Sequence, residues 1–339
     1  MLLSLWPEKT KVGFMRWRLP TAILSVVLVI SSIFMISTRG LNFGVDFIGG
    51  SVVEINRPDS LPADSEEPIR EALAEIGFAN AQVVGAKGAG TPPQDIIIIR
   101  IKTQEPKEGQ NPDTAQGEAT ALIVKTLIEK FDLRFDDPAT PEKEPTDILG
   151  QSSVGPKVSG ELLQSGILSL VVALALMLVY IRFRFDWQYS LGAVAALAHD
   201  VTLTIGMFAL LQLEFNLTTI AALLTIVGYS MNDTVVVFDR VREEKRKYKK
   251  MPLREVIDLA LNGTLSRTLL TSGTTLLALL AIFFLGGSVL RGMSFALIWG
   301  VIIGTYSSIF IASSILLSLP EVRREKRKID DTPGFEAST

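Results

Sequence analysis

The sequence predicts a polytopic α-helical membrane protein with six transmembrane helices and, between the first and second, a periplasmic α+β domain of ferredoxin-like topology. Three observations predict it. Of 339 residues, 48% are hydrophobic and 20% charged, and the apolar excess gathers in long blocks such as 20–36 and 166–181, matching the ~20 residues that cross a bilayer. Basic residues gather between alternate blocks. The one long polar stretch reads β-α-β-β-α-β.

The apolar segments fall at about 20–38, 162–181, 188–212, 217–239, 267–286 and 293–318. With a cytoplasmic N-terminus, the inside segments hold 20 Lys plus Arg, among them Lys11, Arg16, Arg182, Arg184 and the run from Arg240. The two short outer loops hold only Arg291, so the positive-inside rule selects this orientation, with both termini cytoplasmic. On this reading 1–19 is a cytoplasmic N-terminus, 162–318 a five-helix bundle with a cytoplasmic loop at 240–266, and 319–339 a cytoplasmic tail. A cleavable leader is the competing reading of the first span. The run ends in Ser37-Thr38-Arg39-Gly40, without a small-x-small cleavage site.

Residues 39–161 form the outward domain, with 12 Lys plus Arg against 21 Asp plus Glu. Strands are expected at about 43–56, 81–85, 95–102 and 147–154, and helices at 64–77 and 114–131. The run Asp95 to Ile101 is β-branched and short, whereas Ala119, Leu122, Ile123, Thr126 and Leu127 share one helical stripe. This order is the split β-α-β arrangement. Gly- and Pro-rich stretches at 86–94, 103–113 and 135–146 read as loops or a linker.

Composition excludes several chemistries. The chain has no cysteine and a single histidine, His199, which removes disulfides, thiol catalysis and Cys- or His-cluster metal sites. It has no Gly-Lys pair for a phosphate-cradling loop, so the expectation is no bound cofactor or metal and no ATP hydrolysis.

Ionisable groups inside a span cost about 2.5 to 3.5 kcal/mol to insert and therefore point to function. Asp233 lies in the cytoplasmic half of the fourth span, beside Asn232, with Tyr229 and Ser230 on its face. Desolvation disfavours a charged carboxylate, so proton binding is the favoured role, and interhelical hydrogen bonding is the plain alternative. Arg267 opens the fifth span, ahead of Thr271. It reads equally as a snorkelling boundary charge and as a cation that tunes Asp233.

His199-Asp200 lies mid-span on a small or polar stripe with Gly192 and Gly206. It reads first as a satisfied interhelical pair and second as another proton relay. Ala296, Gly300, Gly304, Ser308 and Ala312 recur every fourth residue in the sixth span, a packing seam that could seat a partner subunit. After the basic run from Arg240 to Lys250, the apolar face of 253–261 is expected to lie in the membrane interface. The run itself reads as a topology signal rather than a nucleic-acid site. Gly44, Asp46, Gly49 and Gly50, just outside the first span, read as part of a strand with a glycine bulge.

Together these segments form a recognisable set. One span, then LNFGVDFIGGSVVEI at 41–55, then five clustered spans with AALAHD at 195–200, GYSMNDTVVVFDRVREE at 228–244 and LSRTLLTSG at 265–273, resembles the SecF family over nearly the whole chain. These are smaller membrane subunits of the bacterial SecDF protein-export complex, in the resistance-nodulation-division superfamily. The resemblance implies that the proton-motive force drives late translocation and release of unfolded preproteins across the inner membrane. It also implies proton-pathway roles for Asp233 and Arg267, and no covalent catalysis. The implied partners are SecD, the SecYEG channel, YajC and YidC. A small-molecule or lipid exporter subunit of the same superfamily and a non-transporting scaffold remain as alternatives.

Overall fold

A computed structural model describes residues 10–61, 66–87, 95–103, 112–134 and 147–320. The linker at 135–146, most of the loops at 86–94 and 103–113, and the tail beyond Pro320 lie outside the described residues. In chain order the elements are α1 (Arg18–Arg39), β1 (Asn42–Phe43), α2 (Val45–Ile48), β2 (Gly50–Asn56), α3 (Glu67–Glu75), β3 (Gln82–Lys87), β4 (Asp95–Ile101), α4 (Pro112–Phe131) and β5 (Ile148–Val154). They continue as α5 (Pro156–Arg184), α6 (Trp187–Leu211), β6 (Glu214–Phe215), α7 (Leu217–Lys247), α8 (Leu253–Leu285), α9 (Gly287–Ser307), a π-helical turn (Ser308–Ala312) and α10 (Ser313–Ser318).

Among the described residues, six helical segments are long and apolar enough to cross a membrane: α1, α5, α6, α7, α8 and the run from Leu290 to Ser318. They form two groups. The apolar windows of α6, α7 and the last span are half or more buried within the chain, whereas those of α1, α5 and α8 are at most 11% buried. Apolar side chains such as Val26, Leu176 and Leu277 are left on the periphery, which suits contact with lipid. At ~1.5 Å per residue, α7 and α8 reach about 45 to 50 Å, longer than the ~30 Å hydrocarbon layer.

The outer domain carries a four-stranded antiparallel sheet in the order β3-β4-β2-β5. Its strands, β2, β3, β4 and β5, are joined in β-α-β-β-α-β order through α3 and α4, the ferredoxin-like arrangement expected. Val53, Ile55, Ile97 and Ile99 point to one face, where Ile69 and Leu73 of α3 and Ile123 and Leu127 of α4 close the core.

Three local expectations are corrected. The stretch 43–56 is not one bulged strand: α2 separates β1 from β2. Gly49 and Gly50 turn the chain there at φ +73° and +123°, and a Cβ on Gly50 would stand 2.4 Å from the Ile101 carbonyl oxygen. The segment 240–266 is mostly helix rather than loop, because α7 runs to Lys247 and α8 begins at Leu253. Beyond Leu253, the apolar face of 253–261 meets protein, not the membrane interface. Val256, Ile257, Ala260 and Leu261 are at most 2% exposed, in a cluster that includes Met15, Phe238 and Val241. The N-terminal segment is tied to this part of α8: Val12 N–H donates to Asn262 Oδ1 at 2.8 Å and Met15 N–H to Asp258 Oδ1 at 2.9 Å.

Candidate functional site

The fourth span is fixed at its N-terminal end by a capping box: Asn216 Oδ1 accepts from Thr219 N–H at 3.0 Å, and Asn216 N–H donates to Thr219 Oγ1 at 3.4 Å. Four turns along, this helix places Asp233 where α8 and the last span converge. Thr268 Oγ1 donates to Asp233 Oδ1 at 2.7 Å from α8, and Ser308 Oγ donates to Oδ2 at 2.6 Å from the π-helical turn. The carboxylate is half-buried and held from two other helices. Ser308, expected only as a packing residue, is one of its donors.

A second carboxylate lies deeper. Asp200 of α6 is wholly buried; Ser230 Oγ and Ser307 Oγ donate to its Oδ2 at 2.6 and 2.7 Å, and His199 Nδ1 lies 2.9 Å from its Oδ1. Two expectations change here. Ser230 serves Asp200 rather than Asp233, and the Tyr229 hydroxyl donates to Ser272 Oγ at 3.5 Å. The His199 to Asp200 contact lies within one helix; the interhelical bonds come from the serines, and His199 Nε2 has no hydrogen-bond partner among the described residues. Ser307 and Ser308, adjacent in the chain, thus each hold a different carboxylate. Sequence reasoning missed Ser307 and Thr268 as donors; the available signal was the repeated Ser-Ser pair in an apolar span, at 307–308 and 313–314.

Arg267 precedes Thr268 but turns outward. It is exposed and makes no ion pair with Asp233 among the described residues. Asn232 is exposed as well, and Thr271 donates to the backbone of its own helix. Together with Thr274, these side chains make an exposed polar stripe on α7 and α8 at membrane depth. Polar groups at that depth call for protein or water rather than lipid.

At the N-terminal end of α7, the glycine motif docks on the bundle. Asp46 Oδ2 in α2 accepts from Leu217 N–H, the first residue of α7, at 3.0 Å, which satisfies an open donor at a helix N-terminus. Beside it β1 pairs in parallel with β6, and Gly44 N–H donates to Phe215 O at 2.9 Å. A Cβ on Gly44 would come within 2.8 Å of Glu214 Oε1. Arg100 of β4 pairs with Glu214, so the sheet itself is anchored to the loop that begins α7.

The small-residue seam is consumed inside the chain rather than offered to a partner. A Cβ on Gly300 would lie 2.3 Å from Ile226 Cγ1, one on Gly304 3.1 Å from Ser230 Cβ, and Ala296 is fully buried. The Gly192 and Gly206 stripe on α6 likewise meets protein, at the Ala312 carbonyl and at Ser32 of α1.

The comparisons agree with this architecture. The family model for the C-terminal region of the protein export membrane proteins SecD/SecF matches residues 139–322, and that for the SecD/SecF GG motif matches 34–56. The chain is 45% identical over 336 residues to the protein translocase subunit SecF of Rhodobacter capsulatus, covering 98% of this chain and 96% of that one. It is 39% identical over 323 residues to the protein translocase subunit SecDF of Brucella abortus. The crystal structure of SecDF, a translocon-associated membrane protein from Thermus thermophilus, superposes over 93% of this chain with a TM-score of 0.75 at 32% identity. The chain spans 39% of the length of each of these two SecDF proteins.

Proposed function

The chain belongs to the SecF family of protein-export membrane proteins, and from that premise we propose that it forms one half of a proton-driven export machine, with a SecD subunit supplying the other half. Its substrates are unfolded preproteins leaving a SecYEG channel, its site is the bacterial inner membrane with both termini cytoplasmic, and YajC and YidC are auxiliary partners. The observation that carries the reading is Asp233, a half-buried carboxylate bonded by hydroxyls from two other helices and flanked by an exposed polar stripe.

Ionised, Asp233 accepts from both Thr268 and Ser308. Protonated, it becomes a donor through one oxygen, so the hydroxyl on that side rotates its hydrogen away and accepts instead, which reverses one hydrogen bond between α7 and α8 or the last span. No bond to substrate is made or broken in this scheme. The proton gradient supplies the work, at about 2.3 kcal/mol per charge per 100 mV. Arg267 and its polar neighbours face the SecD half, whose side chains complete the proton path. At its outer end α7 meets Asp46 and Glu214, which carry the shift to the outer domain.

The test is proton entry into vesicles containing the purified two-subunit complex, read with a trapped pH dye. Gradient-driven acidification that Asp233→Asn abolishes supports the reading. Equal acidification by both proteins refutes Asp233 as the carrier.

A further inference from the structure

At the end of the bundle opposite the outer domain, a cleft of about 250 Å³ opens between the start of α6, the end of α7, the start of α8 and the end of α10. One wall is cationic, from Arg242, Lys245 and Arg246; the other is apolar, from Leu253, Leu316 and Leu319; Asp186 adds one opposing charge. Arg242 and Arg246, one turn apart on α7, also line an adjoining cleft of about 510 Å³. The acids of that second cleft are engaged by its other cations: Asp239 bonds Arg184 at 3.1 Å and Glu243 bonds Lys247 at 2.6 Å. Arg242 and Arg246 make no ion pair among the described residues; Arg242 lies over the Phe185 ring at 5.2 Å and donates to the Arg184 carbonyl at 3.4 Å.

The level of the cleft follows from its neighbours. Tyr180 is 54% exposed and Trp187 43% exposed, and exposed Tyr and Trp rings at a span's end mark the headgroup layer. The basic residues above the spans place the same layer on the side where anionic lipid attracts Lys and Arg.

We propose that this cleft binds the phosphodiester headgroup of an anionic phospholipid from the cytoplasmic leaflet. The two guanidiniums take the phosphate oxygens through planar, paired N–H donors. The acyl-glycerol portion lies along Leu253, Leu316 and Leu319. A free phosphate satisfies the cationic wall alone, and the apolar wall is what selects the lipid. The site is separate from Asp233 and stands whether or not that carboxylate carries protons.

The test uses the full chain purified with its partner subunit and delipidated in neutral detergent. Native mass spectrometry would follow adducts of dioleoylphosphatidylglycerol and of dioleoylphosphatidylcholine. The expected result is a retained phosphatidylglycerol adduct that the double variant Arg242→Gln with Arg246→Gln binds about thirtyfold more weakly, while Arg254→Gln, outside the cleft, leaves it unchanged. Equal retention by wild type and the double variant overturns the proposal. So does displacement of the adduct by millimolar inorganic phosphate, which assigns the site to a soluble anion. A second measurement needs no variant: a phosphatidylglycerol carrying a photoreactive headgroup should label wild-type peptides from 242–253 and 313–320. Labelling confined to other peptides overturns the assignment.

Discussion

Asp200 and Asp233 sit on neighbouring helices, and each takes a hydroxyl from one of the adjacent residues Ser307 and Ser308, yet their surroundings differ. Asp200 has no exposed surface, two serine donors and a histidine, all within this chain. Asp233 has two hydroxyl donors, keeps a partly open side and borders the exposed stripe of Asn232 and Arg267. Burial alone does not single out one of the two; what differs is that Asp233 keeps an open side and Asp200 does not. In the proposed function, the difference separates a group that holds helices together from one that meets the proton path.

That contrast can be broken by substitution. The largest effect on stability is expected at Asp200→Ala, which leaves Ser230, Ser307 and His199 without their shared acceptor and should cost about 3 kcal/mol or more. Thermal unfolding of the detergent-solubilised protein measures it; a loss below that of Asp233→Ala would erase the distinction between the two sites. Asp46→Ala removes the acceptor for Leu217 N–H and should cost about 1 kcal/mol, with Asn216 still capping the helix. If Asp46 also links α7 to the outer domain, limited proteolysis of residues 40–56 should accelerate; unchanged cleavage would confine Asp46 to capping.

The smallest effect is expected at Asp147, a carboxylate outside the bundle that serves as a baseline. The Arg134 backbone N–H, at 2.9 Å, together with the Arg134 guanidinium, holds its pKa below the ordinary 3.8 against the opposing effect of burial. A lowered folded-state pKa gives stability that is present above 3.8 and is lost as pH falls through the lower folded value. The stability difference between wild type and Asp147→Asn should therefore be full at neutral pH and shrink in acid. A difference that grew on acidification would reverse the sign.

The six spans and the order of the outer domain were legible in the sequence because both rest on periodicity: long apolar runs, the β-branched run at 95–101 and the helical stripe from Ala119 to Leu127. The two carboxylates were legible as costly residues. Their partners were not, because positions three apart on a helix share a face yet still differ by about 60° around its axis. Ser230 therefore turns to α6 while Asp233 turns to α8, and only packing decides which hydroxyl meets which acid. The stripe at 253–261 was ambiguous for a related reason, since the same apolar face suits a lipid surface or a cover formed by Met15 and Phe238. The glycine motif showed its turn but not its docking, because the acceptor Asp46 and the donor Leu217 are far apart in sequence and meet only in the folded chain.

The most direct test of Asp233 as the coupling group is release of a preprotein into the lumen of inside-out vesicles that contain the two-subunit complex and the channel, with and without an imposed proton gradient. Asp233→Asn keeps the size of the side chain but cannot ionise. The account predicts that the variant assembles at wild-type levels and releases preprotein at the basal rate, with no acceleration from the gradient. Full gradient-stimulated release by the Asp233→Asn complex would contradict it.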